Sequence, residues 1–228
     1  MIKHVLLDID DTILDFKKAE AIAIRKTFST MGIPVDDALI ARYSEINQRQ
    51  WERLELGELT REQVLVERFN ILFEEIGVKA PAEMAQATYE YLLGIGHYFI
   101  EGAPELLESL YGKYDLYVVS NGTANVQDRR LKSADILKYF KGVFISERVG
   151  FNKPSREFFD AAFAGEKDFD RSRAILVGDS LTSDIKGGIN AGIRTCWFNP
   201  NNKAPREDII PDYEIKSLSE LPGLLERI

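Results

Sequence analysis

Asp8 and Asp10 stand two residues apart at the end of the apolar run Val5-Leu6-Leu7, and three further polar segments follow runs of the same kind. Ser120-Asn121-Gly122 closes Leu116-Tyr117-Val118-Val119, and Lys153-Pro154 comes after Val143-Phe144-Ile145. Gly178-Asp179 closes Ala174-Ile175-Leu176-Val177, with Asp184 about one helical turn further on. In extended chain, side chains two apart point the same way, so Asp8 and Asp10 can face one site. Gathered at one sheet edge, Asp8, Asp10, Asp179 and Asp184 would repel, which forces one to hold a proton or demands a cation. A ligand set of hard oxygens without nitrogen or sulfur suits Mg²⁺. Ser120 offers a hydroxyl, Asn121 and Gly122 offer backbone N–H groups, and Lys153 offers a compact cation for an anion. Carboxylate nucleophile, metal, hydroxyl and lysine are a sufficient set for phosphoryl transfer, in which a protein mainly positions groups and stabilises charge.

Other chemistries lack their residues. With Cys196 as the single cysteine and only His4 and His97, a zinc site and a Ser-His or Cys-His nucleophile are both short of partners. Neither a Walker loop nor a G-x-G-x-x-G fingerprint occurs. The net charge of -8, from 29 basic and 37 acidic residues with no basic block, argues against a nucleic acid polymer or an anionic membrane as partner. No apolar stretch approaches the ~18 residues of a membrane span, and the first residues lack the pattern of a signal peptide. Together with the lone cysteine this gives the expectation of a cytoplasmic protein, a monomer or weak homodimer, acting on a small molecule.

The elements that must position these groups are readable as well. Short continuous apolar runs are the mark of strands buried on both faces, and Thr195-Cys196-Trp197-Phe198 and a weaker Tyr213-Glu214-Ile215 add to those above. Helical patterns lie between them, over about 126–136, 156–164 and 181–191, with Gly192 placed as a C-cap and a last helix from Leu218. Strands alternating with helices define a doubly wound, Rossmann-like α/β sheet. Residues 15–100 read differently, as successive amphipathic helices over about 17–31, 36–54, 61–76 and 81–93. The expected organisation is therefore a core of residues 1–14 and 101–228 with an all-helical insert of residues 15–100 over the C-terminal strand ends, where open α/β sheets bind ligands.

In this order, Asp8-Ile9-Asp10-Asp11-Thr12, Ser120-Asn121, Lys153-Pro154 and Gly178-Asp179 through Asp184 resemble the four motifs of the haloacid dehalogenase-like (HAD) hydrolases. The resemblance implies a helical cap after the first strand, Asp8 as the nucleophile toward phosphorus, and Asp10 as acid and then base. It also implies Mg²⁺ held by Asp8, the Asp10 carbonyl and Asp179, with Asp184 a direct or water-mediated ligand and Thr12, Ser120 and Lys153 orienting the phosphoryl group. Residues 47–60, with Trp51, Glu55, Gly57 and Glu58, resemble the YjjG-type pyrimidine 5'-nucleotidases, as do Gln127, Arg130-Leu131 and Ser146-Glu147. That likeness implies a nucleoside 5'-monophosphate as substrate. Trp51 and Phe16 are then candidates to stack on its base, against the plainer reading of both as core aromatics. A phosphatase for a sugar or acid phosphate and a phosphomutase share the core and stay open, whereas Asp10, Asp179 and Lys153 together speak for phosphate chemistry over a dehalogenase, which needs neither a metal nor an acid/base at the second carboxylate. A receiver-type signalling module fits poorly, because Ser120 stands where its aspartate would follow the middle strand. Asp11 reads as a loop-capping residue, and Cys196 as a buried, unreactive one.

Overall fold

The computed structural model describes residues 1–228. Its centre is one sheet of six parallel strands: β1 (His4–Leu7), β2 (Asp115–Ser120), β3 (Gly142–Ile145), β4 (Ala174–Gly178), β5 (Arg194–Phe198) and β6 (Tyr213–Ile215), in the spatial order β3-β2-β1-β4-β5-β6. Alternation of side chains divides the apolar runs between two faces. Val5, Leu7, Val118, Ile175, Val177, Cys196 and Phe198 pack on one face with α5 (Ala103–Leu110) and α10 (Leu221–Leu225). Leu6, Tyr117, Val119, Ala174 and Leu176 pack on the other with α8 (Arg156–Phe163) and the end of α9 (Lys186–Ala191). A run without polar residues is thus what a strand covered on both sides requires, and Val5, Leu6 and Leu7 are fully buried. Leu7 stands opposite both Val118 and Val177, so three central strands end side by side. The strand order turns outward in both directions from β1, which makes this edge the topological switch point.

Between β1 and α5 the chain forms α1 (Phe16–Thr30), α2 (Asp37–Glu55), α3 (Arg61–Glu75) and α4 (Ala82–Leu93). Each of the first three starts on a side chain that satisfies an orphan N–H: Asp15 accepts from Lys18 N, Asp36 from Leu39 N, and Thr60 forms a reciprocal capping box with Gln63. The four helices bury a core of their own, centred on Phe28, Tyr43, Phe69, Phe73 and Tyr89. Chain leaves and returns side by side, since Asp15 N donates to Tyr98 O (2.7 Å) and Ile100 N to Ile13 O (3.0 Å). Val126 of α6 (Ala124–Ser133) joins the core of the helical layer and ties it to the sheet side.

Three details depart from the sequence pattern. Helix α5, two turns long behind Gly102, and the single-turn α7 (Ser146–Val149) have no counterpart in the sequence pattern. The single helix expected over 181–191 is a π-turn (Leu181–Ile185) running into α9, because Ser180 caps Ser183 N while its own carbonyl accepts from both Asp184 N and Ile185 N. The last helix begins as a 3₁₀ turn at Leu218–Glu220. Gly192 does end α9 in the left-handed region, at φ 68°. No helix is long and apolar enough to cross a membrane.

Candidate active site

Where β1, β2 and β4 end, Lys153 is the central charge. It is 1% exposed, and its Nζ donates to Asp8 Oδ1 (2.7 Å), Asp184 Oδ1 (2.7 Å) and the Val119 carbonyl (2.8 Å). Carboxylate oxygens of Asp8, Asp179 and Asp184 lie within 4.8 Å of one another. Asp184 reaches this point because Gly178 has no side chain: a Cβ there would stand 2.2 Å from Asp184 Oδ2. That oxygen also accepts from Ser180 N (3.1 Å). Asp179 pairs with Lys203 (3.0 Å), whose backbone Asn199 holds from both sides, and its carbonyl accepts from Trp197 Nε1 (2.9 Å).

Of the four carboxylates expected to gather, Asp10 stays out of the cluster by its side chain. One oxygen accepts from Arg130 Nη1 and the other from Gln127 Nε2 (2.7 Å), both on α6. Arg130 is fully buried, so the pair anchors Asp10 at the wall of the same cavity as Asp8. Ser120 accepts from Gly122 N (3.0 Å) and Gln127 Nε2 (2.9 Å), which leaves its own proton to donate. The Asn121 side chain is turned to Lys153, accepting from its N–H and donating to its carbonyl, each at 2.9 Å. Asn121 thereby fixes the backbone of the lysine. Thr12 is fully buried, its hydroxyl has no hydrogen-bond partner, and it does not line the cavity. Asp11, at φ 57°, caps the first turn of α1 by accepting from Phe16 N and Lys17 N, as its loop-capping reading requires.

The cavity over these groups has a volume of about 220 Å³. That lies below the ~300–1,000 Å³ of sites for drug-sized ligands and suits a metabolite. Its floor holds Asp8, Asp10, Ser120, Asn121, Lys153, Asp179 and Asp184. Its roof comes from the helical layer, and Phe16 and Trp51 both line it. Two side chains at either end of the α2–α3 turn reach down to the sheet edge. Glu55 accepts from Thr182 Oγ1 (3.0 Å). Arg61 donates to the carbonyls of Asn121 (3.0 Å) and Gly122 (3.2 Å), to Ser146 Oγ (2.6 Å) and to Asn152 Oδ1 (3.1 Å), and lies over the Trp51 ring. Cys196 is buried, its thiol pushed up to about 12, and has no part in the site.

Burial governs the electrostatics of the cluster. Burial, with Asp184 and Asp10 close by and Lys153 opposing, raises Asp8 well above the usual carboxylate range. Burial likewise pushes Asp179 up to about 6 against the pull of Lys203. Burial works against the Lys153 ammonium, but Asp184 and Asp8 outweigh it and hold its pKa above the ordinary value. Three clustered carboxylates, among them Asp8 and Asp179 that burial makes costly to ionise, fit a hard dication, and the all-oxygen donor set matches Mg²⁺.

Similarity to known proteins agrees with this geometry. Residues 5–198 match the haloacid dehalogenase-like hydrolase family, and the chain belongs to it. The HAD-hydrolase YfnB of Bacillus subtilis is 42% identical over 223 residues, covering 98% of this chain and 95% of that one. A crystal structure of YfnB, described as bound to magnesium and as revealing interdomain movement, superposes with a TM-score of 0.94 over 98% of each chain. Two pyrimidine 5'-nucleotidases are similar over nearly their whole length: PynA of Streptococcus pneumoniae (33% identical, 99% of this chain, 95% of that one) and YjjG of Escherichia coli (31%, 97% and 96%).

Sequence reasoning did not assign roles to Arg61, Gln127, Arg130 or Lys203. Gln127 and Arg130, which enter the sequence reading only through the resemblance, also carry a local signal, a three-residue spacing that puts both on one face of α6.

Proposed function

We propose that this chain is a Mg²⁺-dependent phosphomonoesterase that works through an aspartyl-phosphate and acts on nucleoside 5'-monophosphates of the pyrimidine type. The observation that carries it is Lys153 shared between Asp8 and Asp184 beside Asp179, on the floor of a cavity at the ends of the central strands. In this reading residues 1–14 and 101–228 are the catalytic core and residues 15–100 the cap. The nucleotide preference is supported by the similarity to PynA and YjjG, and a moving cap by the interdomain movement described for YfnB.

Asp8 has one oxygen held by Lys153 and one free of protein partners, and the free oxygen attacks phosphorus. The bond from phosphorus to the ester oxygen breaks as Asp10 gives that oxygen a proton. A water then attacks phosphorus, Asp10 takes its proton, and the acyl-phosphate bond breaks to restore Asp8. Lys153 and the Ser120 hydroxyl balance the phosphoryl charge, and Arg130 with Gln127 keeps Asp10 aimed. Asp8, Asp179, Asp184 and the Asp10 carbonyl would hold Mg²⁺, which supplies charge neutralisation on the phosphoryl oxygens when bound.

The test is phosphate release from a panel of nucleotides, sugar phosphates and acid phosphates, with and without Mg²⁺. Wild type should need Mg²⁺ and favour pyrimidine nucleotides, and Asp8→Asn should abolish turnover while leaving the circular dichroism spectrum unchanged. Substantial activity in Asp8→Asn would remove the covalent mechanism.

A further inference from the structure

The far wall of the cavity comes from α3 and α4, and none of the steps above uses its polar side chains. Arg68, Gln86, Tyr89 and Glu90 line it. Arg68 is 3% exposed and Gln86 8%, so neither is there to meet bulk solvent. Hydrogen bonds run behind the wall as one chain. Asn47 Nδ2 donates to Glu20 Oε1 (2.7 Å), Arg68 Nη1 to Asn47 Oδ1 (2.7 Å), Arg68 Nη2 to Gln86 Oε1 (2.6 Å), and Gln86 Nε2 to Glu90 Oε2 (3.0 Å). Each link fixes the next. Arginine can only donate, so both amides turn their oxygens to Arg68 and their nitrogens to the carboxylates. Arg68 itself is held by the Leu65 carbonyl (3.2 Å) and lies over the Tyr89 ring at 4.9 Å.

What these bonds leave free defines the ligand. Gln86 keeps one N–H and one lone pair, Glu90 keeps Oε1, and Arg68 keeps two N–H groups. Donors and acceptors thus stand side by side on one wall. Its charges oppose each other: a second anionic group would meet Glu90, and a cationic one would meet Arg68. A neutral group with both donors and acceptors satisfies it. Phe16, Trp51, Leu93 and Val126 add apolar surface around the wall, which suits the faces of a flat ring better than the hydroxyls of a sugar.

We infer that Gln86 and Glu90, held in place by Arg68, are specificity-determining residues that read the hydrogen-bonding edge of a pyrimidine base while the phosphate sits at Asp8. The inference rests on the nucleotide reading above. A uracil edge offers a carbonyl beside an N–H and a cytosine edge an amino group beside a ring nitrogen, and an amide next to a carboxylate can serve either.

The experiment compares kcat/KM for uridine 5'-monophosphate and ribose 5-phosphate in wild type, Gln86→Leu and Glu90→Gln. Each variant should lower the ratio of the two values at least about tenfold, mainly through KM for the nucleotide, as expected when a built polar contact is left unmatched. Glu90→Gln keeps size and helix, so it decides the matter if Gln86→Leu fails to fold. A folded Glu90→Gln enzyme with the wild-type ratio overturns the inference and leaves the nucleotide reading standing. A wild type that hydrolyses ribose 5-phosphate as well as the nucleotide overturns both.

Discussion

Lys153→Met is the sharpest test of how the site is held together, because its effect on stability can be worked from the structure without reference to turnover. An ammonium has three donors, and Lys153 uses all three, on Asp8, Asp184 and the Val119 carbonyl. Methionine keeps most of the buried stem and deletes the charge. Two carboxylates and a carbonyl are then left facing one another in a buried site. Removing one side of a buried ion pair costs about 3–5 kcal/mol. Two carboxylates lose their partner here, but either can escape by taking a proton, so that range stands as the expectation. For a chain of this size, about 2–4 °C of Tm per kcal/mol turns it into a loss of roughly 6–20 °C.

The assay is thermal and urea unfolding in EDTA, repeated with Mg²⁺. A cation that binds only the folded state adds about 2.7 kcal/mol at a hundredfold excess over Kd, so Mg²⁺ should close part of the deficit. In the double variant Asp8→Asn/Lys153→Met, one of the stranded charges is gone, and the loss should be smaller than the two single losses added together. A Lys153→Met protein that unfolds in EDTA within about 2 °C of wild type, well inside the ~6 °C minimum derived above, refutes the reasoning. The lysine would then not be neutralising the cluster it touches.

Two other perturbations bear on the contacts between helical layer and sheet. Arg61→Ala deletes four hydrogen bonds to Asn121, Gly122, Ser146 and Asn152, and should lower kcat/KM about 10- to 100-fold, the worth of one charge-assisted bond. Arg61→Lys should recover little, since lysine lacks the planar fork; full recovery in steady-state assays would contradict a role for these four bonds. Glu55 is raised to about 7 from an ordinary 4.5, chiefly by burial and against its bond from Thr182. The folded chain therefore keeps a proton that the unfolded chain releases between those values, so stability from this group is full below 4.5 and falls as pH rises through 7. In metal-free buffer Glu55→Gln should match wild type at low pH and exceed it above neutrality by at most about 3 kcal/mol. A difference in unfolding free energy that stays constant across that pH window would dispose of the buried-carboxylate argument.

The sheet side of this site was legible from sequence for a physical reason, and the helical side was not. A parallel strand buried on both faces must be apolar to its last residue, so the first polar residue after it is conspicuous, and it stands at the edge where ligands bind. Asp8, Ser120 and Asp179 all announce themselves this way. Helix starts were equally readable, because Asp15, Asp36 and Thr60 are where orphan N–H groups need an acceptor. No such local rule marks Arg130, whose partner Asp10 lies 120 residues away, or Lys203, placed by the loop after β5. The helical layer is harder still. Phe16 and Trp51 could be suspected because an aromatic ring can stack on a base, and both line the cavity. Gln86 and Glu90, four apart on α4, look in sequence like any solvated helix face. Only the fold reveals that Gln86 is buried and that a guanidinium fixes which end of its amide faces which way. Chemistry common to a whole family is written where strands end, in positions a sequence displays. The residues inferred to read the base sit in mid-helix, where polar side chains acquire meaning only from what packs against them.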